Sequence, residues 1–323
     1  MVHLAGKTLD VRPLALGGNT FGWTSDEKES FAVLDAFVAA GGALIDTADG
    51  YSAWAPGNKG GESETIIGQW LRARGSRDKV IIATKVATHP QFKGLAPSTI
   101  AAAADASLAR LGTDHIDLYY AHFDDPSQTV LDMATAFDQL VRQGKIGHIG
   151  LSNFSVARER GWFEVAEREG LALPVALQPQ YNLLHRGDVE GGDGYGALAA
   201  EKNLALFPYF SLASGFLSGK YTSVKDLSGA ARGAMISDYL SDETATRAAF
   251  EVIDVERQIA AGHHAEVTSV SLAWLLSKGV TAPIASARVP GQLSALFAGT
   301  ELTLADDEAA ALDRASSPFV GRP

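Results

Sequence analysis

The chain has no cysteine among its 323 residues. That excludes disulfides, thiolate metal sites and a cysteine nucleophile, and leads to the expectation of a cytoplasmic protein. Basic residues are also in short supply: 27 Lys and Arg stand against 38 Asp and Glu, a formal net charge of −11. A surface of that sign repels nucleic acid and anionic lipid, so a phosphate-bearing ligand would need a local cluster of cations or backbone amides. Long hydrophobic runs are missing too. The longest reach four to six residues, against roughly 20 for a bilayer span. The start, Met1-Val2-His3-Leu4-Ala5-Gly6-Lys7, lacks the basic-then-apolar pattern of an export signal. An apolar fraction of 46% is still ample for a core.

What the chain does have is a series of short apolar runs. They are Leu14-Ala15-Leu16, Ala43-Leu44-Ile45, Val80-Ile81-Ile82-Ala83 and Ile116-Asp117-Leu118-Tyr119-Tyr120, then His148-Ile149-Gly150-Leu151, Val175-Ala176-Leu177, Ala205-Leu206-Phe207 and Thr281-Ala282-Pro283-Ile284. Runs of this kind read as parallel strands covered on both faces. Their starts are 27 to 37 residues apart, except for a last interval of 76. Helical patterns lie between them, as at Asp26 to Ala40, Glu62 to Arg74, Pro97 to Leu111 and Thr129 to Gln143. Gly41-Gly42 and Gly75 act as stops, and Ser98 as a start signal for the third helix. Eight β-then-α units predict a (β/α)8 TIM barrel rather than an open doubly wound sheet, with residues 1–323 forming one barrel domain. The stretch Val2-His3-Leu4, Gly6-Lys7, Leu9-Val11 predicts an N-terminal β-hairpin plug at the barrel's far end. The long interval predicts a turn-rich loop from Gly229 to Leu240 on the active-site face, followed by two extra helices.

Several familiar motifs fail on context. Ala5-Gly6-Lys7-Thr8 resembles the end of a P-loop, but no strand precedes it. Gly192-Asp193-Gly194-Tyr195-Gly196-Ala197 fits a dinucleotide fingerprint in spelling, yet follows the polar stretch His185-Arg186-Gly187-Asp188. His263-His264 read as solvated, no zinc-protease motif occurs, and no metal site is expected; a serine nucleophile elbow is absent as well.

Polar residues at successive strand ends carry more weight. Asp46 ends strand two, Tyr51 follows five residues later, Lys85 ends strand three and His122 ends strand four. In a barrel these positions converge. A buried lysine needs the counter-charge Asp46 supplies. An adjacent ammonium favours the phenolate, so the Tyr51 pKa is expected to fall from about 10. Such a tyrosine can protonate a carbonyl oxygen, with His122 orienting it. Taken singly, Asp46 reads as a helix cap, Lys85 as a rim ion pair and His122 as a core histidine. Together their chemistry is complementary.

At these residues the sequence resembles the aldo-keto reductase superfamily, almost end to end. The most specific segments are Ile45-Asp46-Thr47-Ala48-Asp49-Gly50-Tyr51-Ser52 and Gly61-Glu62-Ser63-Glu64-Thr65-Ile66-Ile67-Gly68, which match D-T-A-x-x-Y and G-x-S-E-x-x-I-G. Gly150-Leu151-Ser152-Asn153-Phe154 and Gln178-Pro179-Gln180-Tyr181-Asn182 extend the match, as does Leu212 to Tyr221. The resemblance implies a catalytic tetrad of Asp46, Tyr51, Lys85 and His122, and NADPH/NADP+ as cofactor. It implies Ser152, Asn153 and Gln178 at the nicotinamide carboxamide, Tyr209 stacked on the ring, and Gly18 and Asn19 near the cofactor. Ser211, Leu212, Ser214 and Lys220 would hold the pyrophosphate, largely through backbone N–H groups, with Asp46 and Phe210 also at the cofactor and Ser286, Arg288 and Gln292 at the C-terminal cofactor motif. Two departures stand out. Tyr209-Phe210-Ser211-Leu212 replaces Y-S-P-L, and Ala295 and Leu296 replace the acid and asparagine that contact adenine.

The resulting expectation is an NADPH-dependent reduction of a small-molecule aldehyde or ketone, with Trp23, Trp54 and Phe123 lining an apolar substrate pocket. Two other readings stay open: a cofactor-sensing regulatory subunit on the same barrel, and a Schiff-base lyase using Lys85.

Overall fold

The structure is a computed structural model and describes residues 2–4, 7–9, 12–230 and 232–321. Eight parallel strands form one curled sheet: β1 (Ala15–Gly17), β2 (Leu44–Asp46), β3 (Ile81–Val86), β4 (Ile116–Ala121), β5 (Ile146–Leu151), β6 (Pro174–Leu177), β7 (Ala205–Leu206) and β8 (Ile284–Ala285). They pair in sequence from β1 to β7, with β8 beside β1. Backbone bonds from Thr281 N to Leu206 O (2.9 Å) and Ile284 N to Pro208 O (3.0 Å) join the two ends, so the sheet closes on itself. This is the (β/α)8 barrel, with helices packed around it. The eighth ladder starts later than its apolar run, because Pro283 has no N–H to give; its carbonyl accepts from Ala15 N instead.

The strands alternate between two cores. Ala15, Leu44, Ala83, Leu118, Tyr120 and Ala176 fill the barrel interior. Leu16, Ile45, Ile82, Tyr119, Ile149 and Leu177 face outward into the larger core beneath the helices. That period of two places the chemistry: Asp46 shares parity with Leu44, Lys85 with Ala83, and Gln178 with Ala176. All three therefore point inward at the barrel's C-terminal mouth.

The helices α1 (Glu27–Ala39), α2 (Glu62–Arg74), α3 (Pro97–Leu111), α4 (Val130–Arg142), α5 (Val156–Glu169) and α6 (Tyr195–Lys202) follow the first six strands in turn. Helices α7 (Glu243–His263) and α8 (Val267–Ser277) fill the long interval, and α9 (Leu293–Glu301) and α10 (Asp306–Ala315) end the fold. Pro97 at the first helical position, not Ser98, starts α3; no side chain caps it. A hairpin pairs Val2–Leu4 with Lys7–Leu9, while Gly6 and Val11 lie outside the described residues. Gly194 precedes α6 with no strand before it, so the fingerprint spelling around it is a helix start. His263 pairs with Glu308 at 2.9 Å and His264 caps α7. No helix among the described residues is long and apolar enough to cross a membrane.

Candidate active site

The G-x-S-E-x-x-I-G segment does its work as scaffolding. Gly61 takes a positive φ of 84° to begin α2. Ser63 Oγ donates to Gly18 O (2.7 Å) and accepts from Thr47 Oγ1 (2.8 Å), tying the loops after β1 and β2 together. Buried Glu64 accepts from Thr84 Oγ1 (2.6 Å) and Arg110 Nε (2.7 Å), fixing α2 to β3 and α3. Within the loop after β2, Ser52 (φ 69°) donates to Phe21 O at 2.7 Å, and Asn58 bridges Gly22 O and Ser52 O. The segment carrying Tyr51 is thus held on both sides.

At the mouth, the Lys85 ammonium is fully buried and spends its donors on Asp46 Oδ2 (2.7 Å), Thr47 O (2.7 Å) and Tyr51 Oη (3.0 Å). Gln178 Nε2 donates to the other Asp46 oxygen at 2.9 Å. The His122 ring lies 6.1 Å from that of Tyr51, and both rings keep an edge open to the cavity above. The ion pair raises the Lys85 pKa despite burial. Burial, with the Lys85 charge acting the same way, holds His122 well below its ordinary value and therefore neutral. Tyr51 departs from the sequence expectation. Its pKa is raised above 10.0, because desolvation and Asp46 outweigh the neighbouring ammonium. The phenol is a neutral acid that keeps its proton.

The other predicted residues gather around this centre. Asn153 donates to His122 O (2.8 Å) and Ser152 Oγ (3.0 Å), and its oxygen accepts from Tyr209 Oη (2.8 Å). Ser152 Oγ donates to Gln178 O at 2.8 Å, so these side chains form one connected set beneath Tyr209. Trp23 and Trp54 pack edge to face at 5.6 Å, and Trp54 and Phe123 remain about half exposed at the rim. Gly18 does not reach the cavity. It is buried under Ser63, and Gly17 and Asn19 line the opening instead, with Ser286 Oγ donating to Asn19 Oδ1 at 2.7 Å. Ser211 Oγ is committed to Pro208 O at 3.0 Å, which leaves its hydroxyl for the turn after β7.

Two cavities, of about 710 Å³ at the tetrad and about 620 Å³ toward Arg288 and Gln292, share Leu212, Ser214, Gly215, Arg232 and Ser286. They form one elongated cleft. Its floor is a strained turn in which Ala213 (φ 45°), Ser214 (φ 57°) and Gly215 (φ 97°) are all left-handed. Ser271 donates to Leu217 O (3.1 Å) and Arg257 to Gly219 O (2.9 Å), which anchors that turn to α8 and α7. Ser214 Oγ is buried there with no hydrogen-bond partner among the described residues. Lys220, Arg232 and Arg288 line the far cavity. Burial and the charge of Arg288 lower the Arg232 pKa, with Tyr221 opposing them; Glu266 stands on the same lining. A strained backbone cradle, an orphaned hydroxyl and converging cations fit an extended dinucleotide with anionic groups.

Sequence reasoning missed Arg232, whose guanidinium lies 5.7 Å over the Trp23 ring and spans the cleft. The signal was there: it is the sole charge in Gly229 to Ser237. Met235 at the pocket rim was missed as well.

Comparison with known proteins decides the lineage. The model of the Aldo/keto reductase family matches residues 13–317. The chain belongs to the aldo/keto reductase family. It is 30% identical to Protein tas of Escherichia coli K12, over 95% of this chain and 94% of that one. It is 31% identical to Aldo-keto reductase YhdN of Bacillus subtilis 168, over 91% and 85%. Norsolorinic acid reductase B of Aspergillus parasiticus is 29% identical over 95% and 81%. At the level of the family, this aldo/keto reductase is a carbonyl-reducing oxidoreductase that acts on small molecules with a nicotinamide cofactor.

Proposed function

We propose that the chain reduces an aldehyde or ketone to an alcohol with NADPH, using Tyr51 as proton donor. The observation that carries this reading is the Tyr51 hydroxyl at 3.0 Å from the buried Lys85 ammonium, on the wall of an apolar cavity. When bound, a reduced nicotinamide supplies the hydride that the carbonyl carbon accepts. Tyr51 releases its proton to the carbonyl oxygen as negative charge builds there, and Lys85 stabilises the phenolate left behind. Asp46 keeps the lysine charged and in place. His122, neutral beside the same cavity, orients the oxygen. Asn153, Ser152 and Gln178 are set to hold the carboxamide, and Tyr209 to face the ring. Trp23, Trp54 and Phe123 supply apolar walls for the substrate.

The cations Lys220, Arg232 and Arg288 favour NADPH over NADH, because a 2′-phosphate is a dianion suited to an arginine fork. Against the lyase reading, a Schiff-base lysine needs a lowered pKa, whereas three acceptors occupy the Lys85 donors and its pKa is raised. A panel of aldehydes and ketones followed by NADPH absorbance tests the proposal, with Tyr51→Phe as control. The variant should lose about 10²- to 10⁴-fold in turnover while binding NADPH normally. Near-normal reduction by the phenylalanine variant at neutral pH would remove Tyr51 from its role.

A further inference from the structure

Asp49 lies three residues beyond Asp46 and is wholly buried, yet it forms no part of the tetrad. Its Oδ1 lies 3.2 Å from Thr88 Oγ1, while its Oδ2 has no hydrogen-bond partner among the described residues. The same Thr88 hydroxyl lies 3.5 Å from His122 Nδ1. One threonine oxygen thus stands between a buried carboxyl and the back of the histidine ring. The local backbone is shaped to keep it there. Ala87 takes a φ of 125°, a conformation that strains a non-glycine residue. Gly50 is pressed so close that an added Cβ would fall 2.3 Å from Thr88 Oγ1 and 2.9 Å from its carbonyl carbon.

We propose that Asp49 is a positioning residue which, through the Thr88 hydroxyl, sets which ring nitrogen of His122 carries the proton. The inference rests on the reductase reading, in which His122 orients a carbonyl oxygen. A hydroxyl has one proton to give. When Asp49 is protonated, it donates to Thr88 Oγ1, Thr88 donates to His122 Nδ1, and the ring proton sits on Nε2, where it can be offered to a carbonyl oxygen. When Asp49 is ionised, Thr88 donates to the carboxylate and accepts from Nδ1–H. Nε2 is then a bare lone pair that repels that oxygen.

The surroundings poise the carboxyl between these states. Burial opposes ionisation of Asp49, as does Glu64 facing it from α2, while the Thr88 hydroxyl, Arg110 from α3 and the Ala87 backbone favour it; the result is a pKa of about 7. The Tyr119 phenol from β4 also faces Asp49 and stays protonated. Lys85 and Tyr51 also face His122, and burial, with the Lys85 charge acting the same way, keeps the ring neutral in both states. The productive tautomer therefore dominates below neutrality and gives way above it.

The test is long-range ¹H–¹⁵N correlation of the ¹⁵N-histidine-labelled full chain with NADP+, from pH 6 to 8.5. His122 is assigned by the signal lost in His122→Asn. The wild type should pass from Nε2–H to Nδ1–H with a midpoint near 7. Asp49→Asn, which carries no charge at any pH, should show one tautomer throughout, with no midpoint near 7. Thr88→Val should remove the pH dependence, and Thr88→Ser should restore it. In carbonyl reduction, Asp49→Asn should lose the neutral-range decline in kcat. A His122 tautomer that stays fixed across the range in the wild type, or that titrates alike in Thr88→Val, overturns the inference. The ring signals report this even if no carbonyl is turned over, so failure of the reductase reading shows separately. Should Asp49→Asn fail to fold, the two threonine variants decide.

Discussion

The Lys85 ammonium and the Tyr51 hydroxyl stand 3.0 Å apart inside the barrel mouth, with Asp46 2.7 Å away on the lysine's other side. Lysine lowers the phenol's pKa and aspartate raises it, so the pair sets the acidity of the donor from opposite directions. Lys85→Met should therefore push the tyrosine pKa further up and move the alkaline limb of kcat with it, while cutting turnover. The same change strands Asp46 in a buried site, at a cost of about 3–5 kcal/mol of stability. A pH–rate profile on the folded variant, with a urea melt, checks both. An unmoved alkaline limb would count against the pairing.

Arg288 makes no ion pair among the described residues, and its charge acts on half-buried Arg232 across the far cavity. Two guanidinium groups of like sign are stable together when an anion bridges them. Arg288→Ala and Arg232→Ala should each weaken NADPH binding by about 2 kcal/mol, roughly 30-fold. NADH, which lacks the 2′-phosphate, should bind almost unchanged. Fluorescence titration with both dinucleotides gives the answer. Equal losses for the two would assign the arginines to loop support.

Gly68 carries a prediction about the scaffold. A Cβ there would lie 2.2 Å from Arg110 O and 2.7 Å from Leu111 C, backbone atoms at the end of α3. Gly68→Ala should cost about 1–3 kcal/mol, the usual range for overpacking. Because α3 cannot retreat without moving Arg110 off Glu64, turnover should also fall. A variant as stable as the parent would show that the two helices part freely.

Much of the fold and of the site is legible in the sequence. Apolar runs alone located the eight strands, since a sheet covered on both faces leaves no other pattern. Asp46, Lys85 and His122 were found because barrel topology brings strand ends together and their charges need one another. What stayed hidden depended on distances the sequence does not encode. The Tyr51 pKa departs from the sequence expectation because burial of the phenol, with Asp46 acting the same way, outweighs the adjacent ammonium. Gly18 was placed on the cofactor when a single residue of register turns it beneath Ser63. Arg232 reached the site from a loop whose path no periodicity describes.

The last expectation concerns stability and a carboxyl remote from the chemistry. Glu159 in α5 is 1% exposed, and its Oε2 has no hydrogen-bond partner among the described residues. Desolvation pushes its pKa from 4.5 to about 9. Folding at neutral pH must therefore add a proton that the unfolded chain does not hold. A pKa raised by folding stabilises fully below the unfolded value, and that contribution fades as pH climbs toward the folded one. Between about pH 4.5 and 9 the native state should thus lose stability steadily on this account. Glu159→Gln keeps the shape without the titration. It should raise Tm by several degrees at pH 8 and hardly at all at pH 4.5. Calorimetry at the two pH values measures the difference. Melting curves offset by the same amount at both would mean that the carboxyl ionises in place, with solvent or a neighbour supporting its charge.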